Sequence, residues 1–188
     1  MNILVTGITG QLGYDVAKCL NAREIPCVGA GRAELDLADG ICIRQYIQKV
    51  RPDAVIHCAA YTDVNRAQSE RELCRAVNVE GTKHIAAVCQ ELGAKLLFVS
   101  TEYVFPGEGD GYYRTTDATA PLNVYGESKR DAELAVAECM ERYFIVRISC
   151  AFGAHGKNFV STMLKLGREK EEIRVVCDQI GSPTYTVD

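Results

Sequence analysis

Asn2-Ile3-Leu4-Val5-Thr6-Gly7-Ile8-Thr9-Gly10-Gln11-Leu12-Gly13 sets a short apolar run directly before three glycines spaced three apart. The run predicts a strand, and Leu12, Val16 and Leu20, standing four apart, predict a helix that opens where the glycines end. A glycine turn between strand and helix has a definite physical use. Lacking side chains, Gly7 and Gly10 let the backbone turn tightly and come close to a pyrophosphate. The free N–H groups and positive dipole end of the helix would then meet the negative charge. The expected cradle is Gly7, Gly10, Gln11, Leu12 and Gly13.

Working outward, β-rich runs alternate with helical stripes. Candidate strands are Asn2 to Val5, Ile25 to Ala30, Ala54 to Cys58, Lys95 to Val99, Phe144 to Ile148 and Ile173 to Cys177. The third and fourth are continuously apolar, as parallel strands covered on both faces are. Stripes at Leu73 and Val77, at Ile85 and Cys89, and at Met163 and Leu166 supply the crossover helices. The pattern predicts an α/β fold, a Rossmann-type doubly wound parallel sheet in strand order 3-2-1-4-5-6. The run Pro106-Gly107-Glu108-Gly109-Asp110-Gly111 starts a loop reaching Pro121, and loops of that length beside a sheet are usually functional.

Composition narrows the function classes. The 188 residues suit one domain, 1–188, with a full core, and 21 basic against 25 acidic residues give a net charge of −4. No basic cluster offers the footprint of a nucleic-acid or membrane binder. No apolar run approaches the roughly 20 residues of a membrane span, and the first residues lack a signal peptide's charged flank. A cytoplasmic location is the expectation. The nine cysteines stand singly with no C-x-x-C pair, which predicts buried or inert thiols with neither a disulfide framework nor a metal site.

The second candidate strand ends Gly29-Ala30-Gly31-Arg32, where an acidic residue would take a ribose 2′-hydroxyl. An arginine there can pair with a 2′-phosphate, so NADPH is the expected cofactor, with Glu34 and Asp36 keeping NADH open. Asp36-Leu37 could hold and cover an adenine, or could equally start a helix. The small residues of Ala59-Ala60-Tyr61-Thr62 would let the cofactor lie along the carboxyl end of the third strand. His57, inside that strand, reads as a hydrogen-bonded core histidine.

Chemistry enters with Tyr125 and Lys129, four apart and therefore on one helix face. A phenol titrating near 10 is a poor acid at neutral pH, but an ammonium about 4 Å away could bring it down by about three units. Tyr125 could then protonate a carbonyl oxygen receiving hydride, Lys129 would also bind the nicotinamide ribose, and the hydroxyl of Thr101 could meet the oxyanion.

The stretches Ser100-Thr101-Glu102-Tyr103-Val104-Phe105-Pro106-Gly107 and Thr116-Asp117-Ala118-Thr119-Ala120-Pro121-Leu122-Asn123-Val124-Tyr125-Gly126 resemble the dTDP-4-dehydrorhamnose reductase family of extended short-chain dehydrogenases/reductases. Asn158-Phe159 and Asp178 to Thr184 extend the likeness. The resemblance implies reduction of the 4-keto group of a dTDP-6-deoxy-hexos-4-ulose by NADPH or NADH, giving dTDP-L-rhamnose. It implies catalytic roles for Thr101, Tyr125 and Lys129, substrate contacts from Thr101, Glu102 and Cys150, and a nucleotide-sugar as partner, with a homodimer left open. Glu102 replaces the family's usual aspartate and Cys150 its frequent tryptophan. Family members continue past the equivalent of Asp188, which implies a C-terminally truncated member in which residues 151–188 begin the substrate-binding part. Two other functions stay open: an epimerase or dehydratase using the same Tyr and Lys, and a non-catalytic dinucleotide-binding regulatory subunit.

Overall fold

Strand β1 (Ile3–Thr6) is buried along its whole length and sits inside the sheet, with β2 (Cys27–Ala30) on one side and β3 (Ala54–His57) on the other. The computed structural model describes residues 1–109 and 111–188, so Asp110 of the long loop lies outside the described residues. β4 (Lys95–Thr101), β5 (Tyr143–Phe152) and β6 (Pro183–Tyr185) complete a six-stranded sheet in which every neighbouring pair is parallel.

The doubly wound parallel architecture stands, but the strand order is β2-β1-β3-β4-β5-β6 rather than 3-2-1-4-5-6. Burial explains the difference. β2 is only partly covered over its first three residues and takes the sheet edge. The segment after it makes no strand: Leu35 and Leu37 plug the core while the Asp36 side chain accepts the Ala38 N–H, and Asp39 caps the next helix. The chain therefore crosses back over β1 and inserts Ala54–His57, whose apolar run needs neighbours on both sides.

A second correction concerns the last strand. Residues 173–177 do not pair; Val175 and Val176 stay exposed, and the free edge of β5 is taken by Pro183–Tyr185. That short strand is held by the Thr186 N–H donating to the Phe152 carbonyl at 3.0 Å and by the Thr186 hydroxyl donating to the Asp15 carboxylate.

The main core lies between the sheet and helices α2 (Gly40–Val50), α5 (Gly81–Leu92) and α6 (Val124–Cys139). Leu4, Ile43, Ile47, Ile85, Leu96 and Phe98 are fully buried there, each worth about 1.5–3 kcal/mol on removal from water. Two short helices, α3 (Val64–Ala67) and α4 (Arg71–Arg75), precede a π-turn at Ala76–Glu80 that runs into α5. Right-handed crossovers place α1 (Gln11–Ala22) on the opposite face, against β1 and β2. Between β5 and β6 lies α7 (Phe159–Glu169), none of whose residues is buried.

Candidate functional site

The chain leaves β1 for β2 on one side and returns as β3 on the other, so a crevice opens at the carboxyl ends of these strands. It is a cavity of about 850 Å³, and its lining unites residues from widely separated stretches of sequence. Gly7, Gly10, Gln11, Leu12 and Gly13 come from the β1–α1 turn, and Arg32, Asp36 and Leu37 follow β2. Ala59, Ala60, Tyr61 and Thr62 follow β3, Thr101 and Glu102 end β4, Tyr125 and Lys129 face in from α6, and Cys150 comes from β5. Apart from Glu34, every residue singled out for a site from sequence borders this one space.

The glycine turn fits a diphosphate on two observations. Gly7 has φ +74°, and a Cβ built on it would lie 2.8 Å from the Ala59 backbone, while a Cβ on Gly13 would collide with the Gly7 carbonyl. No side chain caps α1 and its first turn holds no acidic residue, so its leading N–H groups face the cavity uncompensated. Ser100 Oγ, buried at the cavity wall, is the one buried side-chain polar atom without a partner among the described residues. An orphan of this kind suits a wall that a polar ligand completes.

The strand ends are fixed by a buried polar chain. His57 is enclosed between the hydroxyls of Thr6 at 2.8 Å and Thr82 at 3.0 Å, and burial, aided by the Lys129 charge, pushes it down to about 3. It is the neutral core histidine that its place in the strand predicted. The Thr6 hydroxyl also accepts the Ala59 N–H at 3.1 Å, which ties the glycine turn's strand to the third strand's exit. Beyond it, Asn78 in the π-turn accepts the Tyr61 N–H at 2.7 Å and donates to the Tyr61 carbonyl at 3.0 Å and to Ser128 Oγ at 2.9 Å. Asn78 thereby clamps the third strand's exit to the helix carrying Tyr125 and Lys129.

At the rim, Glu34 accepts the Gly31 N–H at 2.9 Å, which engages the acid that could have served a ribose hydroxyl, and leaves Arg32 exposed. Asp36 does not start a helix; Asp39 does, accepting the N–H groups of Ile41 and Cys42. Asp36 and Leu37 line the cavity from the turn that precedes that helix.

The catalytic candidates converge, but their electrostatics differ from the expectation. Lys129 is buried; its ammonium donates to the Val99 carbonyl at 2.7 Å and lies 4.0 Å from the centre of the Phe98 ring. Burial pushes it down to about 7, with Glu133 opposing. Tyr125 is raised well above the ordinary phenol value, first by burial and then by the Glu102 carboxylate, while Thr101 favours the phenolate. Lys129 is not among the groups acting on it, so the expected acidification by a facing ammonium is absent from this state of the site. Thr101 in turn donates to Glu102 Oε2 at 2.8 Å. Cys150 stands at a bulge in β5 with φ +43°, a strained backbone for a residue with a side chain, and such bulges often re-aim chains beside active sites.

Several lining residues carry no signal in the sequence. Arg66 and Glu70, paired with each other, enter from α3 and the start of α4, with Glu70 also accepting the Tyr61 hydroxyl at 2.7 Å. Gly156 and Lys157 arrive from the β5–α7 loop. Only the small-residue run Gly153-Ala154-His155-Gly156 could have signalled that this loop bends back. Among the described residues no group of acidic, histidine or cysteine side chains could hold a metal ion, and no helix is long and apolar enough to cross a membrane.

A doubly wound parallel sheet with a glycine turn at its switch point and Thr101, Tyr125 and Lys129 around one crevice defines a Rossmann-type fold with its ligand crevice at the carboxyl ends of the strands. Comparison with known proteins agrees: the family described as RmlD substrate binding domain matches residues 1–188, and the chain belongs to it. A curated relative, dTDP-4-dehydrorhamnose reductase of Streptomyces griseus, is 44% identical over 186 residues, covering 98% of this chain and 61% of the relative. The crystal structure of dTDP-4-dehydrorhamnose reductase from Bacillus anthracis in complex with NADP superposes with TM-score 0.95 at 44% identity, covering 98% of this chain and 66% of that one. UDP-glucose 4-epimerase from Thermotoga maritima shares the fold, with TM-score 0.85 at 21% identity over 99% of this chain and 70% of that one. The chain spans about three fifths of the length of the curated relatives it matches.

Proposed function

We propose that this chain carries the cofactor site and catalytic residues of an NADPH-dependent reductase acting on the 4-keto group of a dTDP-6-deoxy-hexos-4-ulose, to give dTDP-L-rhamnose. One observation carries the proposal: Thr101, Tyr125 and Lys129 share a single cavity with an uncapped glycine cradle, in a chain 44% identical to a reductase of that name. Exposed Arg32 and engaged Glu34 favour a 2′-phosphate over a bare ribose hydroxyl, and a similar reductase was crystallised with NADP. Bound NADPH would supply hydride.

The chain's own residues do the rest. Gly7, Gly10, Gln11, Leu12 and Gly13 would receive the diphosphate, Asp36 and Leu37 would hold and cover the adenine, and Ala59 to Thr62 would line the path of the nicotinamide ribose. Tyr125, kept protonated by its raised pKa, donates its proton to the carbonyl oxygen as negative charge gathers there. Thr101 releases Glu102 and turns its hydroxyl to the same oxygen. Lys129, lowered to about 7 and bonded to the Val99 carbonyl in this structure, would hold the nicotinamide ribose and sustain the phenol's proton supply. Glu102 and Cys150 face the sugar. Residues 1–188 form the NAD(P)-binding unit with 151–188 beginning the substrate-binding part, and the setting is cytoplasmic.

The test is NADPH oxidation with the dTDP-4-keto-sugar, using the full-length protein. Turnover that Tyr125→Phe abolishes supports the proposal. Absent turnover, or a Tyr125→Phe variant as fast as the parent, refutes it, and a tightly copurifying NAD with no net consumption assigns the epimerase class instead.

A further inference from the structure

The loop between β5 and α7 folds back onto the beginning of α1. Asn158 donates its side-chain N–H to Gln11 Oε1 at 2.7 Å and to the Gly153 carbonyl at 2.9 Å. Its side-chain Oδ1 accepts the Ser161 N–H at 2.9 Å while Ser161 Oγ accepts the Asn158 backbone N–H at 3.1 Å, so the same residue caps α7. Further along the loop, His155 stacks on Tyr14 of α1 with ring centres 3.9 Å apart and planes inclined by 13°. Gly156 lies so close to α1 that a Cβ built on it would sit 3.4 Å from Gln11 Cβ and 3.7 Å from the Gln11 nitrogen. The next residue is Lys157, and it lines the cavity together with Gly7, Gly10 and Gln11.

Lys157 thus adds a cation to the cavity wall that already carries the positive end of α1, a juxtaposition of like polarity. Among the described residues nothing offsets it: the first turn of α1 has no acidic residue, and Lys157 forms no ion pair. The other cations on the cavity are differently disposed. Arg66 is paired with Glu70, Lys129 is bonded to Val99 deep in the wall, and Arg32 stands at the rim after β2. An anion shared by the helix end and Lys157 resolves the conflict.

We propose that Lys157 is a diphosphate-binding residue, and that the β5–α7 loop is a second wall opposite the glycine turn. The inference rests on the dinucleotide assignment above and names the dinucleotide, rather than a nucleotide-sugar, as the source of the diphosphate. The Gly156–Gln11 contact supports that choice, since Gln11 belongs to the glycine cradle itself. Lys157 is exposed, so its replacement leaves the fold intact.

The experiment is calorimetric titration of the parent chain, Lys157→Ala and Lys157→Arg with NADPH, ADP, adenosine and dTDP, at low and high ionic strength. Loss of one charge-assisted contact should weaken NADPH and ADP binding to Lys157→Ala about tenfold at low salt. Adenosine, which carries no phosphate, should bind as before, Lys157→Arg should recover most of the loss, and salt should narrow the gap. Unchanged NADPH affinity in Lys157→Ala overturns the proposal, as does an equal loss for adenosine or a loss confined to dTDP. A parent chain that binds neither NADPH nor ADP fails the dinucleotide assignment itself, and the proposal falls with it.

Discussion

Residues 1–147 and residues 148–188 are built differently. In the first region, strands and helices enclose a continuous core in which Phe98, Leu4, Ile47 and Leu96 are fully buried. In the second, α7 buries nothing, Phe159 and Leu164 are 62% and 61% exposed, and attachment comes from strand pairing, the Tyr14–His155 stack and polar contacts from Asn158 to Gln11 and from Thr186 to Asp15. The glycine cradle and the Thr101–Tyr125–Lys129 group belong wholly to the first region. The proposed dinucleotide site therefore sits on elements that share one continuous core, while the second region contributes loops to that site and an apolar surface left exposed among the described residues.

The contrast can be broken by mutation. The largest expected effect is chemical: Tyr125→Phe in the full-length protein should lower turnover by about 10²–10⁴-fold, as loss of a general acid does, with NADPH affinity unchanged by titration. Next comes packing. Phe98→Ala should cost about 3–5 kcal/mol in urea unfolding, whereas Leu164→Ala should stay within about 0.5 kcal/mol; equal losses would erase the distinction between the regions. Gly13→Ala should cost about 1–3 kcal/mol through overpacking against Gly7, and should abolish dinucleotide binding with it.

Smaller effects follow from protonation. His57 is held down to about 3 from an ordinary value near 6.5, so between those limits the unfolded chain binds a proton that the folded chain refuses. Stability is then lost as pH falls through that window, by up to about 1.4 kcal/mol per pH unit, and a His57→Gln variant should show a flatter acid limb in denaturation at each pH. Lys129, lowered to about 7, has the same sign in a higher window: its burial opposes folding at low pH and ceases to do so as pH rises from about 7 towards the ordinary lysine value. Smallest is Glu102→Gln. Removing a carboxylate that raises the Tyr125 pKa should move the alkaline limb of the pH–rate profile to lower pH.

The same division separates what was legible in the sequence from what was not. Glycine spacing, four-residue stripes and continuous apolar runs are local signals, and they located the cradle, the core strands and the Tyr125–Lys129 face. Strand order depends on which edge is covered. Nothing within Ala54–His57 states that it sits beside β1 rather than outside β2; the half-covered β2 and the turn-forming Asp36 and Asp39 decide it. The run 173–177 has strand composition but no edge left to join, because Pro183–Tyr185 occupies β5. Spacing placed Lys129 near Tyr125, yet the carbonyl of Val99, on another element, captures its ammonium. Arg66, Asn78 and Lys157 reach the site or its supports through loops and a π-turn whose course no periodicity encodes.

The most direct test is a crystal structure of the protein with NADPH bound. The account predicts the diphosphate on Gly7 to Gly13, the 2′-phosphate beside Arg32, the nicotinamide next to the Tyr125 hydroxyl, and the Lys129 ammonium moved from Val99 to the ribose. A dinucleotide bound elsewhere, or a Tyr125 hydroxyl turned away from the nicotinamide with Lys129 still on Val99, would contradict it.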